Sequence, residues 1–258
     1  LWLSGASVAH HGLALVAASE QAHRMGDPNI QIAVEIDRAD VCNHRGLARD
    51  AWTILEAARP LLGSIDDDSL IARFRMTEAR VHQFLGHTDE SFQAFGEALE
   101  IAVKCGDLDT ERQVHQLLGR SYHVDRGDEA KAMDHFRQAQ RLAQIQGDEL
   151  GRGRALVAMA GITLQAGQVE RARIQLEEAE ERLVNRAGLL EWAVLRNQQG
   201  LVETNSGRCT DALSLFEESF TLADRTGNPR MASILRLNFM WALLEIGRLV
   251  EMWPVAHI

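Results

Sequence analysis

The sequence predicts an all-α fold, a solenoid of antiparallel helix hairpins. Three observations predict it. Glycines recur at Gly46, Gly86, Gly127, Gly167, Gly207 and Gly247, in steps of 40, 41, 40, 40 and 40 residues. A second turn series runs Gly26-Asp27, Asp66-Asp67, Gly106-Asp107, Gly147-Asp148, Ala187-Gly188 and Gly227-Asn228, in steps of 40, 40, 41, 40 and 40. Between the turns, a small, a large and a small residue recur at steps of four and three, which places all three on one helix face. Self-similarity at a fixed period marks a repeat architecture. One such hairpin cannot bury its apolar face, whereas stacked neighbours can. Four prolines and 5% aromatic residues also suit helix better than sheet.

The elements follow in order. Residues 1–27 read as the second helix of an incomplete repeat, because Leu15, Ala18 and Gly26-Asp27-Pro28 match Phe216, Ser219 and Gly227-Asn228-Pro229. Five repeats follow at 28–67, 68–107, 108–148, 149–188 and 189–228. Their second helices carry Ala51, Leu55, Ala58; Ser91, Phe95, Ala98; Ala132, Phe136, Ala139; Ala172, Leu176, Ala179; and Ala212, Phe216, Ser219. Each helix is expected to hold roughly 17 residues, about 25 Å of axis. The small residues let two helices approach, and the large one fills the space between them. The glycines fall where a helix end needs a left-handed residue. Asp27, Asp107 and Asp148 stand where the next helix needs a cap. Residues 229–258 read as a truncated last repeat. Neither end shows a capping repeat, so the sequence reads as one solenoid cut from a longer chain.

The densest cluster of reactive side chains lies in the third full repeat, GRSYHVDRGDEAKAMDHFRQA, from Gly119 to Ala139. It holds His123, Asp125, Asp128, Glu129, Asp134 and His135, with an Arg126-Gly127-Asp128 tripeptide. The repeat explains most of it. Gly119, Tyr122, Gly127, Ala132, Phe136 and Ala139 are the shared framework. The slots of Asp134 and His135 hold Gln93 and Ala94, or Ser214 and Leu215, in other copies. The tripeptide reads as an interhelical turn whose Asp caps a helix. This copy also carries the one extra residue behind the step of 41.

Composition narrows the function. The chain has 258 residues, 46% hydrophobic and 25% charged, with a net charge of −10, which argues against nucleic acid as a partner. Three dispersed cysteines, Cys42, Cys105 and Cys209, form no C-x-x-C motif, and their odd number suits a reducing, cytoplasmic setting. No apolar run approaches the ~20 residues of a membrane helix, so no membrane partner is expected. There is no P-loop, G-x-G-x-x-G, H-E-x-x-H or G-x-S-x-G. No catalytic residue, metal or cofactor is expected. His10-His11 point about 100° apart on a helix and do not make a shared metal site. Cys42, His44 and His82 share a repeat position or adjoin one, but Thr163, Glu203 and Leu243 fill the same slot elsewhere. LEEAEERL (176–183) reads as a wet helix face. Lys104 and Lys131 are the only lysines among 27 basic residues, a hint of a GC-rich bacterial genome.

Leu118, Gly119 and Tyr122, then Gly127, Ala132, Phe136 and Ala139, resemble the tetratricopeptide repeat family. Looser copies run through 79–98, 160–179 and 200–219, so the resemblance covers nearly the whole chain. The period departs from the family's usual length of about 34 residues, and Gly-Asp stands where a closing proline is common. The long variety is similar to segments of large bacterial signalling proteins: maltose-type transcription activators, other switch ATPases and some diguanylate cyclases.

The resemblance implies a right-handed superhelix whose first helices line a concave groove. Its groove positions fall on Asp40, Asn43 and His44; on Arg73, Met76, Arg80, Gln83 and Phe84; and on Gln113, Gln116, Arg120 and His123. Further along they fall on Arg154, Leu164 and Gln165; on Asn197, Leu201, Thr204 and Asn205; and on Ile234, Leu237, Trp241 and Glu245. The candidate ligand-binding residues are Asn43, His44, Arg73, Arg80, Gln83, Gln116, Arg120, His123, Arg154, Asn197 and Asn205. They are side chains that hydrogen-bond a peptide backbone or a carboxylate. Four arginines face two acids on an acidic chain, so an acidic or carboxylate-bearing protein or peptide is the expected partner. The plainer alternative is that these arginines pair with nearby acids.

The leading functional reading is a non-catalytic protein- or peptide-binding scaffold or sensor that regulates attached signalling domains. The alternatives are the effector-sensing part of a bacterial transcription regulator, with its switch ATPase and DNA-binding domain elsewhere, or the regulatory repeats of a nucleotide cyclase or kinase. A homodimer through exposed solenoid ends is also expected.

Overall fold

The computed structural model describes the backbone of residues 5–227, 229–245 and 247, and the side chains of 14–227, 231–244 and 247. His10, His11 and Glu245 therefore have undescribed side chains, and residues 248–258 of the expected last repeat lie outside the described residues. Twelve α-helices and no strand occur among the described residues. None of the described helices is long and apolar enough to cross a membrane. The chain divides into two compact units, one holding Gly5–Leu142 and one the residues from Ala143 on.

The first unit contains α1 (Gly5–Met25), α2 (Pro28–His44), α3 (Ala48–Ala58), α4 (Asp68–Leu85), α5 (Thr88–Cys105), α6 (Leu108–Ser121) and most of α7 (Glu129–Gln146). Asp27 caps α2 through the N–H groups of Asn29 and Ile30, and Asp67 caps α4 through those of Ser69 and Leu70. Asp107 accepts from the Thr110 N–H at 3.0 Å. Asp128 accepts from the Lys131 N–H at 3.0 Å, so the aspartate of the Arg-Gly-Asp turn is a helix cap. Such caps satisfy N–H groups that the helix itself leaves without acceptors. Arg126 of the same turn pairs with Asp89 and lies over the Phe92 ring.

Two apolar clusters fill this unit. Ile32, Ile36, Leu55, Phe74 and Val81 meet where α2, α3 and α4 converge. Met76, Phe95, Val114 and Leu118 meet between α4, α5 and α6. The large residue of each second helix sits in these seams, as the small–large–small pattern requires. At α7 the fit is tightest, since Gly119 leaves no space between its backbone and the Phe136 ring.

Two local departures from the expected hairpins have clear causes. The second helix of the first full repeat is short: α3 ends at Ala58 and a 3₁₀ turn covers Arg59–Ser64. Pro60 lacks the N–H that an α-helix would need there. The surplus residue of the third full repeat is absorbed in a π-helical turn, Tyr122–Arg126, closed by the Gly127 N–H donating to the Tyr122 carbonyl five residues back, with the Asp128 N–H reaching the same carbonyl at 2.9 Å. A π turn spends one more residue per hydrogen-bonded ring than an α turn.

The second unit contains α8 (Glu149–Gln165), α9 (Val169–Leu183), α10 (Leu189–Asn205), α11 (Cys209–Asp224) and α12 (Pro229–Glu245). Asp148 caps α8 through the Gly151 N–H at 2.8 Å. Phe216, Phe239, Ala242 and Leu243 form one apolar seam, and Ala193, Ala223, Ala232 and Leu235 another. The turn after α9 departs from its series. Gly188 has an ordinary negative φ, and Asn185 takes the left-handed conformation instead. Asn is the side chain that best tolerates this. Gly188 still marks a helix start, because its N–H donates to the Glu191 carboxylate at 3.0 Å.

Candidate ligand face on the first helices

In the first unit, the first helices α2, α4 and α6 follow one another, and their polar residues bond from one repeat to the next. Arg73 reaches Asp37 at 3.3 Å, and Arg80 reaches Asp40 at 2.9 Å. Arg80 Nη2 also donates to His44 Nε2 at 3.1 Å. Gln83 donates to Ser121 at 2.5 Å and to Asp125 at 3.2 Å. The partners are 36 to 42 residues apart, one repeat length. A single side of each helix therefore carries both the expected binding residues and their intramolecular partners.

The electrostatics centre on His44. Burial first, then the positive fields of Arg80 and Arg120, push its pKa down to about 4. At neutral pH the ring is uncharged, which lets Nε2 accept the Arg80 hydrogen bond. Asp40 is shifted upward chiefly by burial, with Arg80 opposing. The result is a half-buried Asp40–Arg80–His44 group with the exposed Arg120 close enough to act on it. Such a group presents hydrogen-bond donors and positive potential suited to an anionic ligand.

The other expected residues are placed variously. Asn43 is 1% exposed, and neither of its side-chain amide atoms has a hydrogen-bond partner among the described residues. Gln116 is half-buried on α6. His123 lies in the π turn, and its buried Nδ1 likewise lacks a partner. In the second unit, Arg154 pairs with the buried carboxylate of Glu191. Asn197 is buried and accepts from Asn238 at 2.7 Å. Asn205 is exposed and donates to the Leu201 carbonyl at 2.8 Å. Arg73, Arg80 and Arg154 thus follow the plainer expectation of pairing with acids.

Sequence reasoning missed the partners Asp37, Ser121, Asp125, Glu191 and Asn238. Their signal was present as spacing: each stands about one repeat from its partner, on a first helix or, for Asp125, in the π turn that follows one.

Other titratable clusters are separate from this face. His82 Nδ1 faces His87 Nδ1 at 3.4 Å and packs on Trp52, so it is not directed at Cys42 or His44. His115 Nδ1 and His135 Nδ1 meet at 2.8 Å between α6 and α7, with Tyr122 stacked on His135. Burial, His135 and Arg141 lower the pKa of His115 to about 4. No group of three or more His, Cys, Asp or Glu side chains suited to a metal ion occurs among the described residues.

No protein-family model matches the chain, and no curated protein matches it. Solved structures do. BtubC (BKLC) from P. vanneervenii is similar at a TM-score of 0.67 and 16% identity, covering 84% of this chain and 91% of that one. NprR in complex with its cognate peptide NprX is similar at 0.67 and 14%, covering 93% and 70%. A signal-transduction ATPase with a tetratricopeptide repeat sensor from Pyrococcus horikoshii is similar at 0.61 and 16%; the match covers 88% of this chain and 37% of the ATPase. Kinesin light chain repeats from Podospora are also similar, at 0.53. At these identities the likeness concerns architecture, and it agrees with the glycine series, the small–large–small seams and the hairpins: the chain has the fold of the tetratricopeptide-like helical repeat proteins.

Proposed function

We propose that this chain is a non-catalytic sensor or scaffold module that binds a protein or peptide on its first-helix face and passes the bound state to attached signalling domains. The observation that carries the reading is the Asp40–Arg80–His44 group with Arg120 beside it. It offers charged and neutral hydrogen-bonding groups on a repeat surface, and repeat surfaces of this kind serve binding. NprR, a structural neighbour, holds a cognate peptide, and Rap, at a TM-score of 0.54, is solved with the Competence and Sporulation Factor. The first supports a peptide as ligand, and the second a bound signalling factor. The local positive field favours one bearing a carboxylate. A paired second copy of the chain belongs to the same reading, as does a cytoplasmic setting.

The test is a binding titration of peptides differing in acidic content against the chain and its Arg120→Glu variant. Arg120 is exposed, so its reversal spares the core. Acidic peptides should bind the original chain and lose about tenfold or more in affinity to the variant, since charge-assisted contacts contribute about 1.5–3 kcal/mol. Equal affinity of acidic and neutral peptides for both chains overturns the carboxylate reading. No binding by any peptide overturns the peptide reading.

A second reading, the sensor part of a switch ATPase or transcription regulator, is favoured by the likeness to the sensor-bearing ATPase of Pyrococcus horikoshii. It shares the same ligand face and differs in what the face controls.

A further inference from the structure

The hairpin turn of the second full repeat brings two histidines together. Gly86 ends α4 with a left-handed φ of 81°. The His87 N–H then donates to the His82 carbonyl at 2.9 Å, and the Gly86 N–H to the Gln83 carbonyl at 3.2 Å. These two bonds make a Schellman closure, which sets the side chains at its ends in contact, commonly as an apolar pair. The longer bond of the closure recurs in other repeats, where the N–H of Leu47 reaches Cys42, that of Gln168 reaches Thr163 and that of Arg208 reaches Glu203. Among the described residues, the turn at Gly86 alone has an imidazole at each end. The two Nδ1 atoms stand 3.4 Å apart. That is long against the roughly 2.7–3.2 Å of ordinary hydrogen bonds. It fits two ligands of one tetrahedral ion, which stand about 3.3 Å apart when each metal–nitrogen bond is about 2.0–2.1 Å.

We propose that His82 and His87 chelate a divalent transition-metal ion of the class that favours imidazole, zinc foremost, with water in the remaining positions. The surroundings suit a cation. His87 is exposed, and its side chain makes no capping bond to α5. His82 is half-buried against Trp52, with ring centroids 4.8 Å apart, so its orientation is fixed. Burial favours the neutral form of His82, the form that binds metal. The negative fields of Glu78 and Glu90 reach the same ring, opposed by Arg59 and His87. Glu90 is exposed and stands three residues after His87, the place from which a side chain reaches back to the start of its helix. His115 and His135 make the contrast. Their Nδ1 atoms meet at 2.8 Å, an ordinary hydrogen bond. Arg141 acts on the first ring and Lys131 on the second, with Asp134 opposing, so positive charge stands on both sides of that pair. An ion held by His82 and His87 would clip α4 to α5 and lock the hairpin whose first helix carries Arg73, Arg80 and Gln83. The proposal goes beyond the ligand reading and does not depend on it.

Thermal melts with zinc and fluorescence quenching by copper(II) test the proposal on the 258-residue chain freed of metal with EDTA. Zinc should raise the melting temperature by several degrees, because an ion that binds only the folded state stabilises it. Copper(II) quenches an indole beside it, so it should dim Trp52, and the quenched part of the emission should vanish in Trp52→Phe. In His87→Gln the apparent affinity for either ion should fall about tenfold or more. His135→Gln should keep both effects. His87 is exposed, and circular dichroism checks that each variant keeps its helix content. No zinc-induced shift in the original chain overturns the proposal. So does an unchanged affinity in folded His87→Gln, or quenching that Trp52→Phe leaves intact, since either would place the ion elsewhere. Loss of both effects in His135→Gln would likewise overturn it. The peptide reading has its own test at Arg120 and survives any of these results.

Discussion

Gly119 has no room for a side chain. A β-carbon built there falls 2.7 Å from Cδ1 and Cε1 of Phe136, closer than packed atoms tolerate. Gly119→Ala must therefore push the ring aside, and overpacking of this kind costs about 1–3 kcal/mol. Gly161 is the control. A β-carbon there meets only the flexible Gln198 amide at 3.5 Å, so Gly161→Ala is expected to be neutral or to add about 0.4–1 kcal/mol by restricting the unfolded chain. Urea denaturation of the two variants should move in opposite directions; a stabilised Gly119→Ala would contradict the packing described for α6 and α7. Gly119 was legible as part of the repeat because its neighbours recur with the period. The His115–His135 contact was not, because its members stand 20 residues apart across a hairpin and no other repeat copies them.

At the scale of elements, the turns and caps were readable because they are local. Asp27, Asp107 and Asp148 cap helices two or three residues away, and left-handed glycines close most of the hairpins. The exceptions have local causes that the period conceals: Pro60 cuts α3 short, and Asn185 takes the left-handed role beside Gly188. The extra residue of the third full repeat was countable, but not the form that absorbs it. The π turn supplies that form, and it makes a prediction. Deleting Val124, which is 68% exposed, removes the surplus and should let Tyr122–Arg126 wind as an ordinary α turn. The melting temperature should stay within a few degrees or rise. Deleting one residue inside α5, by contrast, rotates everything beyond it by about 100° off the buried face and should unfold the hairpin. Equal damage from both deletions would mean that the π turn is not where the repeat takes up its slack.

Over the whole molecule, pH reports on the buried histidines. His44 and His115 have folded pKa values pushed down to about 4, with burial as the largest cause. A histidine depressed in this way favours folding while neutral. Its contribution is complete above the unfolded value of about 6.5 and is lost as pH falls from there toward 4. His82 and His135 are shifted in the same direction. Asp40, raised by burial, works the other way and gains stability as it protonates, but it is one group against four. Thermal melts should therefore show falling stability from pH 6.5 to about 4. Replacing His44 and His115 by Gln should flatten that slope, and an unaltered slope in the double variant would assign the pH dependence elsewhere.

Under the proposed function, the Asp40–Arg80 pair makes capture of a carboxylate an exchange. A carboxylate that reaches Arg80 takes the place of Asp40, so one ion pair is made as another is lost. Affinity then reflects the difference between two carboxylates, and added salt, which weakens both pairings, should change it little. The displaced Asp40 keeps its burial but loses the guanidinium that held its charge. It would regain balance by taking up a proton. Binding should then carry a proton count, visible as a heat that changes with the ionisation enthalpy of the buffer. The module would register acidity and ligand through the same side chain.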